Sequence, residues 1–267
     1  MVHDKRDLLK QDLQQMEKIL IAFSGGVDST FLLKIAHDVL GQNAVAVTVR
    51  SSAFPDRELK EARRFCTEQG IKHLVTDSEE LDDPEFAKNP ANRCYLCKKQ
   101  LFGKLKEVAE ELCAGDLAEG SNMDDLRDYR PGRQALTELG IQSPLLKAGL
   151  TKAEIRILSK ELGLPTWDKP SFACLSSRIP YGEEITKDKL KMVEQAEQYL
   201  LDLGFRQVRV RHHGDIARIE VSPEEHLRFL EHKIAEEIYE AFGRIGFIYT
   251  ALDLKGYRSG SMNEKIL

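Results

Sequence analysis

The sequence predicts an α/β fold, a parallel five-stranded sheet within residues 1–165 followed by a smaller α+β domain over 166–267. Short apolar runs alternate with helical patterns in the first half, which reads as βα units feeding a parallel sheet. After a loop rich in Pro, Ser and Gly at 165–182, the pattern changes to two alternating strands flanked by helices. A chain of 267 residues also lies near the length at which one apolar core tends to split in two.

An amphipathic helix near 5–17 leads the chain. Strand one is 19–23, followed by a glycine turn and a helix over 29–40 that Gly41 stops. Strand two spans 44–49, a helix runs from 55 to about 70, and strand three covers 71–76. A helix near 98–113 leads to strand four at 116–119, and the unit closes with a fifth strand at 144–146. Thr151-Lys152-Ala153-Glu154 has the pattern of a capping box, so a helix should run from there to the stop at Gly163-Leu164-Pro165. In the second domain the expected elements are a helix at 186–202, strands at 205–211 and 215–221, helices over 223–242 and a strand at 246–253.

The composition, 42% hydrophobic and 31% charged without a low-complexity tract, is that of an ordinary folded chain. No run of about 18 apolar residues occurs and the N-terminus lacks an apolar leader core, which implies a soluble, cytoplasmic protein with no membrane partner. A net charge of −5 argues against an extended nucleic-acid surface. Five cysteines in such a chain do not make a disulfide framework; they are core residues, metal ligands or reactive thiols.

The segment Ser24-Gly25-Gly26-Val27-Asp28-Ser29-Thr30 joins strand one to a helix. Glycines let backbone approach closely, and a helix N-terminus offers unpaired N–H groups to a phosphate. Ser24, Ser29 and Thr30 add hydroxyl donors. The Gly-Lys-Ser/Thr of a Walker A loop is missing, so γ-phosphate transfer is disfavoured. Asp28 either caps the turn or holds Mg²⁺ bridging phosphates. The stretch from Glu119 through Gly120 to Asp125 lies beyond the carboxyl end of strand four, where ligands gather in open α/β sheets. Arg130 and Arg133, in the run from Asp128 to Arg133, can grip an anion in a bidentate manner. Lys152 is a weaker phosphate candidate, because exposed helical lysines are common.

Cys94 and Cys97 form a CxxC in a loop-like stretch, and Cys174 adds a third thiol in another loop. Three thiolates suit zinc with one His or a [4Fe–4S] cluster with an open iron, or they are unrelated thiols. Lys98, Lys99 and Arg178 would stabilise thiolates. Cys66 and Cys113 sit on helical patterns and read as core. Arg209 and Arg211, two apart, share one strand face and could clamp a phosphate, with Arg206 and Arg218 nearby. The pair His212-His213 reads as a strand edge. Glu220 is a candidate cation ligand beside that clamp, or a plain surface carboxylate.

The loop at 24–30 resembles the Ser-Gly-Gly-x-Asp-Ser signature of the PP-loop superfamily, which includes GMP and NAD synthetases, asparagine synthetase and tRNA-thiolating enzymes. Over nearly the full length the chain resembles the LarE family. The resemblance rests on the run Asp128-Tyr129-Arg130-Pro131-Gly132, the segment from Cys174 to Gly182, Val208-Arg209-Val210-Arg211, Asp215 to Glu220, Gly256 to Gly260, and Met262-Asn263.

That resemblance implies a PP-loop ATP pyrophosphatase domain over 1–165 and a substrate-binding, oligomerising domain over 166–267. It also implies an ATP- and Mg²⁺-dependent sulfurtransferase in nickel-pincer nucleotide synthesis for lactate racemase maturation. Such enzymes adenylylate a carboxylate of pyridinium-3,5-biscarboxylic acid mononucleotide, release pyrophosphate and replace the carboxylate oxygen with sulfur. Some members sacrifice the sulfur of one cysteine. With Cys94, Cys97 and Cys174 together, this chain resembles the branch that passes sulfide from a donor through a [4Fe–4S] cluster. By the same resemblance Ser24, Gly25, Gly26, Asp28, Ser29, Thr30, Gly120 and Lys152 bind ATP. Ser177, Arg178, Arg209 and Arg211 take the substrate phosphate, and a homo-oligomer is implied. A tRNA thiolase and a nucleotide-binding module with zinc are the alternatives.

Overall fold

In chain order the elements are α1 (Val2–Gln14), β1 (Ile19–Ala22), α2 (Val27–Leu40), β2 (Ala44–Arg50), α3 (Asp56–Gln69), β3 (His73–Asp77), α4 (Pro84–Ala87), α5 (Arg93–Glu111) and β4 (Asp116–Ala118). There follow α6 (Gly132–Glu138), α7 (Pro144–Lys147), α8 (Lys152–Glu161), α9 (Lys187–Asp202), β5 (Val208–His213), β6 (Ile216–Val221), α10 (His232–Ile245) and β7 (Tyr249–Leu252). The computed structural model describes residues 2–126, 131–171, 173–258 and 261–262. Two compact units emerge, one of residues 1–80 and 92–172, the other of 81–91 and 173–267. Residues 166–172 thus stay with the first unit, and 81–91, which carry α4, go with the second.

The first unit is built on a parallel sheet of order β3-β2-β1-β4. β1 is central and apolar at successive positions because both its faces are covered. Alternation sends Ile19 and Ile21 into a core with Phe31, Leu32 and Ile35 of α2 and Ile155 and Leu158 of α8. Leu20 points the other way, into a core with Val45, Val47, Phe102 and Leu105.

Two expectations are corrected here. Residues 144–146 are not a fifth strand: Pro144 opens the short helix α7, where its fixed φ suits a first helical position and its missing N–H costs nothing. Beyond β4 the sheet continues, among the described residues, in a single parallel bridge from Ala118 to Gln142, which leaves four strands. The helix expected from 98 begins at Arg93, so Cys94 and Cys97 lie on the first two turns of α5 rather than in a loop. Its buried apolar residues are Phe102, Leu105 and Ala109, and Cys94, Tyr95, Leu96 and Cys97 run consecutively rather than at helical spacing, so the first turns carry no periodic signal.

In the second unit β5 pairs antiparallel with β6, and β6 pairs parallel with β7. α9 and α10 pack on the face carrying Val208, Val210, Ala217 and Ile219. The opposite face presents Arg209 across from Glu220 and Arg211 across from Arg218. The inserted strip is tied in by Asn89, fully buried at φ 56°, whose Nδ2 donates to the carbonyls of Ile179 and Pro180. Gly182 N–H donates to Asn89 O, and Ile185 N–H to Ala87 O. No described helix is long and apolar enough to cross a membrane.

The capping box is present in both halves: Thr151 Oγ1 accepts from Glu154 N–H and the Glu154 carboxylate accepts from Thr151 N–H. Replacing Thr151 with Ala should lower unfolding stability by about 1 kcal/mol. A denaturation midpoint that falls with unchanged slope would show it.

Candidate functional site

Gly25, at φ 68°, turns the chain out of β1 so that α2 starts at Val27 with Gly26 as its N-cap. That backbone conformation is open to glycine at little cost. The N-cap is a glycine and makes no side-chain capping bond, so the first helical amides lack that partner among the described residues. Ser24 Oγ lies 3.1 Å from Ser29 Oγ, and Ser29 Oγ donates to Gly26 O at 3.3 Å. Thr30 is fully buried, and its Oγ1 has no hydrogen-bond partner among the described residues.

Asp28 follows on the first turn of α2. Its Oδ2 accepts from Lys152 Nζ, which the start of α8 delivers to this point. Its Oδ1 is buried and without a partner among the described residues. Burial pushes the Asp28 carboxyl above the usual carboxylate range, while the Lys152 ammonium works against that shift. A carboxylate with one open, buried oxygen beside a helix N-terminus fits Mg²⁺, a hard cation that takes few protein oxygens and shares the rest with phosphate and water. Gly120 closes the other side, for a Cβ there would sit 3.0 Å from Ser29 N and 3.3 Å from the Asp28 Cβ. Glu119 is structural, accepting from Ser121 N–H, Ser121 Oγ and Ser143 Oγ and so shaping the turn after β4.

A hydrogen-bond chain fixes the strand end that feeds the loop. Thr48 Oγ1 donates to Phe23 O at 2.6 Å and lies 2.8 Å from His73 Nε2. The single hydroxyl proton goes to the carbonyl, so His73 Nε2 carries a hydrogen and donates to Thr48. Burial, and secondarily Arg63, push the His73 pKa down to about 4.

Cys94 and Cys97, three apart on α5, share a helix face. Cys94 is exposed; Cys97 is half-buried and donates to Glu80 Oε1 at 3.8 Å. Burial raises the Glu80 pKa. Cys174 belongs to the second unit, exposed, just before the short 3₁₀ turn Leu175–Arg178. Among the described residues no group of three or more His, Cys, Asp or Glu side chains is gathered so as to hold a metal ion. Cys66 is core as expected, its thiol pushed up to about 12 by burial. Cys113 is not: it follows the end of α5 at φ 49°, where its side chain turns to solvent. Asp128, Tyr129, Arg130, Ser259, Gly260 and Asn263 lie outside the described residues, and Arg133 is half-buried on α6.

Of the arginines singled out in the second unit, Arg178, Arg209 and Arg211 are buried, Arg218 is half-buried and Arg206 is exposed. Arg178 is fully buried, with Nε and Nη2 on the two oxygens of Glu197 and Nη1 on the carbonyls of Ala173 and Cys174 and on Ser177 Oγ. Burial penalises both charges, yet the pair outweighs it: Arg178 is held above and Glu197 below its ordinary pKa. In this arrangement Arg178 anchors the backbone of the Cys174 turn. Arg209 stacks 5.0 Å from the ring of Tyr257, and burial, with Arg178 nearby, lowers its pKa to about 10. Arg211 donates to Ser177 O, Glu220 and Ser261 Oγ, and its Nε has no partner among the described residues. Glu220 is fully buried and paired with the Arg211 and Arg218 guanidiniums, so it is not a plain surface carboxylate. His212 and His213 stand on β5, an edge strand of this sheet, and His212 is buried there against Phe247.

A family model for NAD synthase matches residues 1–92. An uncharacterised protein of Synechocystis is 47% identical over 264 residues, 99% of this chain and 98% of that one. The pyridinium-3,5-bisthiocarboxylic acid mononucleotide synthase of Lactiplantibacillus plantarum is 38% identical over 263 residues, 98% of this chain and 95% of that one. The chain belongs to the LarE family. A more distant relative, an uncharacterised protein of Methanocaldococcus jannaschii, is 29% identical over 254 residues, 94% of this chain and 96% of that one. As a LarE-family chain with a PP-loop domain, the protein is an ATP-dependent enzyme.

Two side chains of this LarE chain were not singled out in the sequence. Glu197 stands where α9 repeats its buried residues, with Leu190, Val193, Ala196 and Leu200, and a carboxylate in that stripe is itself a signal of a buried partner. Lys169 reaches the phosphate loop from the loop rich in Pro, Ser and Gly, where a single lysine carries no pattern.

His73 gives the site a pH signature. Its folded pKa lies below the ordinary 6.5 of an exposed imidazole, so the unfolded chain takes the proton first. The stability it contributes is whole above about pH 6.5 and is lost as pH falls toward about 4. Denaturation of the wild type and of His73→Gln across that window should show a steeper acid loss in the wild type.

Proposed function

We propose that this protein is an ATP-dependent sulfurtransferase that converts the carboxylates of pyridinium-3,5-biscarboxylic acid mononucleotide to thiocarboxylates. The observation that carries this reading is the similarity to the Lactiplantibacillus synthase across both units, since the phosphate loop alone would stop at ATP. The uncapped start of α2 and the open oxygen of Asp28 support the first step.

In that step a substrate carboxylate oxygen attacks the α-phosphorus of ATP, the α–β bridge breaks, and pyrophosphate leaves with the electron pair. The amides of residues 26–29 and the hydroxyls of Ser24, Ser29 and Thr30 would face the departing phosphates, with Gly120 and Lys152 bounding the nucleotide. Mg²⁺ held by Asp28 would neutralise charge on the leaving pyrophosphate. Sulfide then attacks the acyl carbon, and AMP leaves to give the thiocarboxylate. The substrate phosphate is assigned to Arg209 and Arg211 with Ser177 and Arg178; the buried excess of guanidinium over carboxylate supports that assignment.

Sulfur delivery is assigned to Cys94, Cys97 and Cys174. A [4Fe–4S] group that these three thiolates would hold is the form we propose, and when bound it would supply the sulfide. A homo-oligomer is part of the same reading, supported by the exposed Leu227, Leu230 and Leu254 of the second unit.

Labelled ATP should release pyrophosphate only when the dicarboxylate mononucleotide is present, and Asp28→Asn should slow that release by about a hundredfold or more. Release that ignores the mononucleotide would overturn the substrate assignment. Anaerobically purified protein should carry about four irons and acid-labile sulfide per chain. An iron-free protein in which Cys174 loses the mass of one sulfur on turnover would mean sacrificial donation instead.

A further inference from the structure

The phosphate loop has no lysine of its own, yet one ammonium touches its backbone from outside. Lys169 Nζ donates to the Gly25 carbonyl at 3.2 Å and to Glu58 and Glu61 of α3 at 2.7 Å each. Its side chain is 12% exposed. The strip that carries it is fastened to α8: Arg156 Nη1 donates to Trp167 O at 2.7 Å and Nη2 to Lys169 O at 2.8 Å. The Lys160 ammonium sits 4.5 Å over the Trp167 ring. Two carboxylates already neutralise Lys169, so its charge is not spare for a polyphosphate.

We infer that Lys169 is a positioning residue for the phosphate loop, holding the Gly25 carbonyl outward so that the Gly26 N–H is aimed into the loop. The two groups belong to one planar trans peptide and point in opposite directions. Fixing the carbonyl therefore fixes the amide. Glycine at Gly25 and Gly26 leaves this peptide little steric resistance to rotation, so the turn does not hold it unaided. A charge-assisted bond from a partly buried ammonium supplies the missing restraint. Gly26 N–H meets Ser24 Oγ at 3.4 Å, a long contact that an anion can displace. α3, which grips Lys169 through Glu58 and Glu61, also backs the loop, with Ala62 Cβ 3.5 Å from where a Gly25 Cβ would stand. Loop, helix and strip are thus registered against each other through one ammonium.

This inference rests on ATP being the ligand of the loop, and the test separates the two. Calorimetric affinities for ATP and for adenosine, which has no phosphate, are compared in the wild type, Lys169→Met and Lys169→Arg. Lys169→Met should weaken ATP about tenfold and leave adenosine within about twofold, and Lys169→Arg should recover most of the loss. A merely structural role predicts otherwise: depriving the buried Glu58 of the Lys169 charge would weaken both ligands together, and adding Glu58→Gln to Lys169→Met would restore both. Either that pattern or unchanged ATP affinity in Lys169→Met overturns the inference. A wild type that binds ATP but releases no pyrophosphate with the mononucleotide fails the proposed function and leaves the inference standing; one that binds no ATP removes both.

Discussion

A helix that starts inside a protein without a capping side chain leaves amide donors whose desolvation must be met by something else, and α2 starts in this way at Gly26. The first unit is arranged around that condition. β1 lies between apolar layers on both faces, so its end is held with little freedom. Thr48 and His73 pin the Phe23 carbonyl one residue before the loop. Gly120 brings backbone rather than a side chain against the helix start, and Lys152 balances the Asp28 charge. An aspartate on the first turn complements the helix dipole while repelling a phosphate, and a bridging dication removes the conflict.

The second unit meets burial in the opposite manner. Arg178, Arg209 and Arg211 are taken out of water together with Glu197 and Glu220. A buried pair of this kind adds little net stability, but removing one partner costs about 3–5 kcal/mol because the other charge is stranded. The Arg178–Glu197 pair also reaches beyond itself: Glu197 accepts from Val210 N–H of β5, and Arg178 holds the carbonyls of the turn that carries Cys174. The position of that thiol is thereby tied to the arginine-bearing strand.

Most elements were legible because their cause is local. The capping box at Thr151, the apolar run of β1 and the stripes of α9 and β5 all act within a few residues. The failures share a physical origin. The stretch at 144–146 looks like a strand by composition, but Pro144 favours a helical start and the sheet edge needs only the Gln142 bridge. The apolar residues opening α5 are consecutive rather than spaced three or four apart, so periodicity could not extend the helix back to Cys94. At the site, the glycine turn, Asp28 and the arginine spacing were readable as residue types. What they touch was not: that Glu220 pairs with two guanidiniums, that Arg178 pairs with Glu197, and that Lys169 grips Gly25 are long-range facts without a sequence period.

The strip at 81–91 bears on how the chain can be divided. The backbone passes between the units at 80/81, at 91/92 and at 172/173, so no single cut separates them. A fragment starting at residue 173 would lack Phe86, which is 2% exposed, and Asn89, whose amide and carbonyl serve the backbone of residues 179–182. The second unit is therefore discontinuous in sequence though continuous in space. Moving it into another protein would require grafting the strip along with it, and a ribosome finishes this unit only long after its first piece has been made.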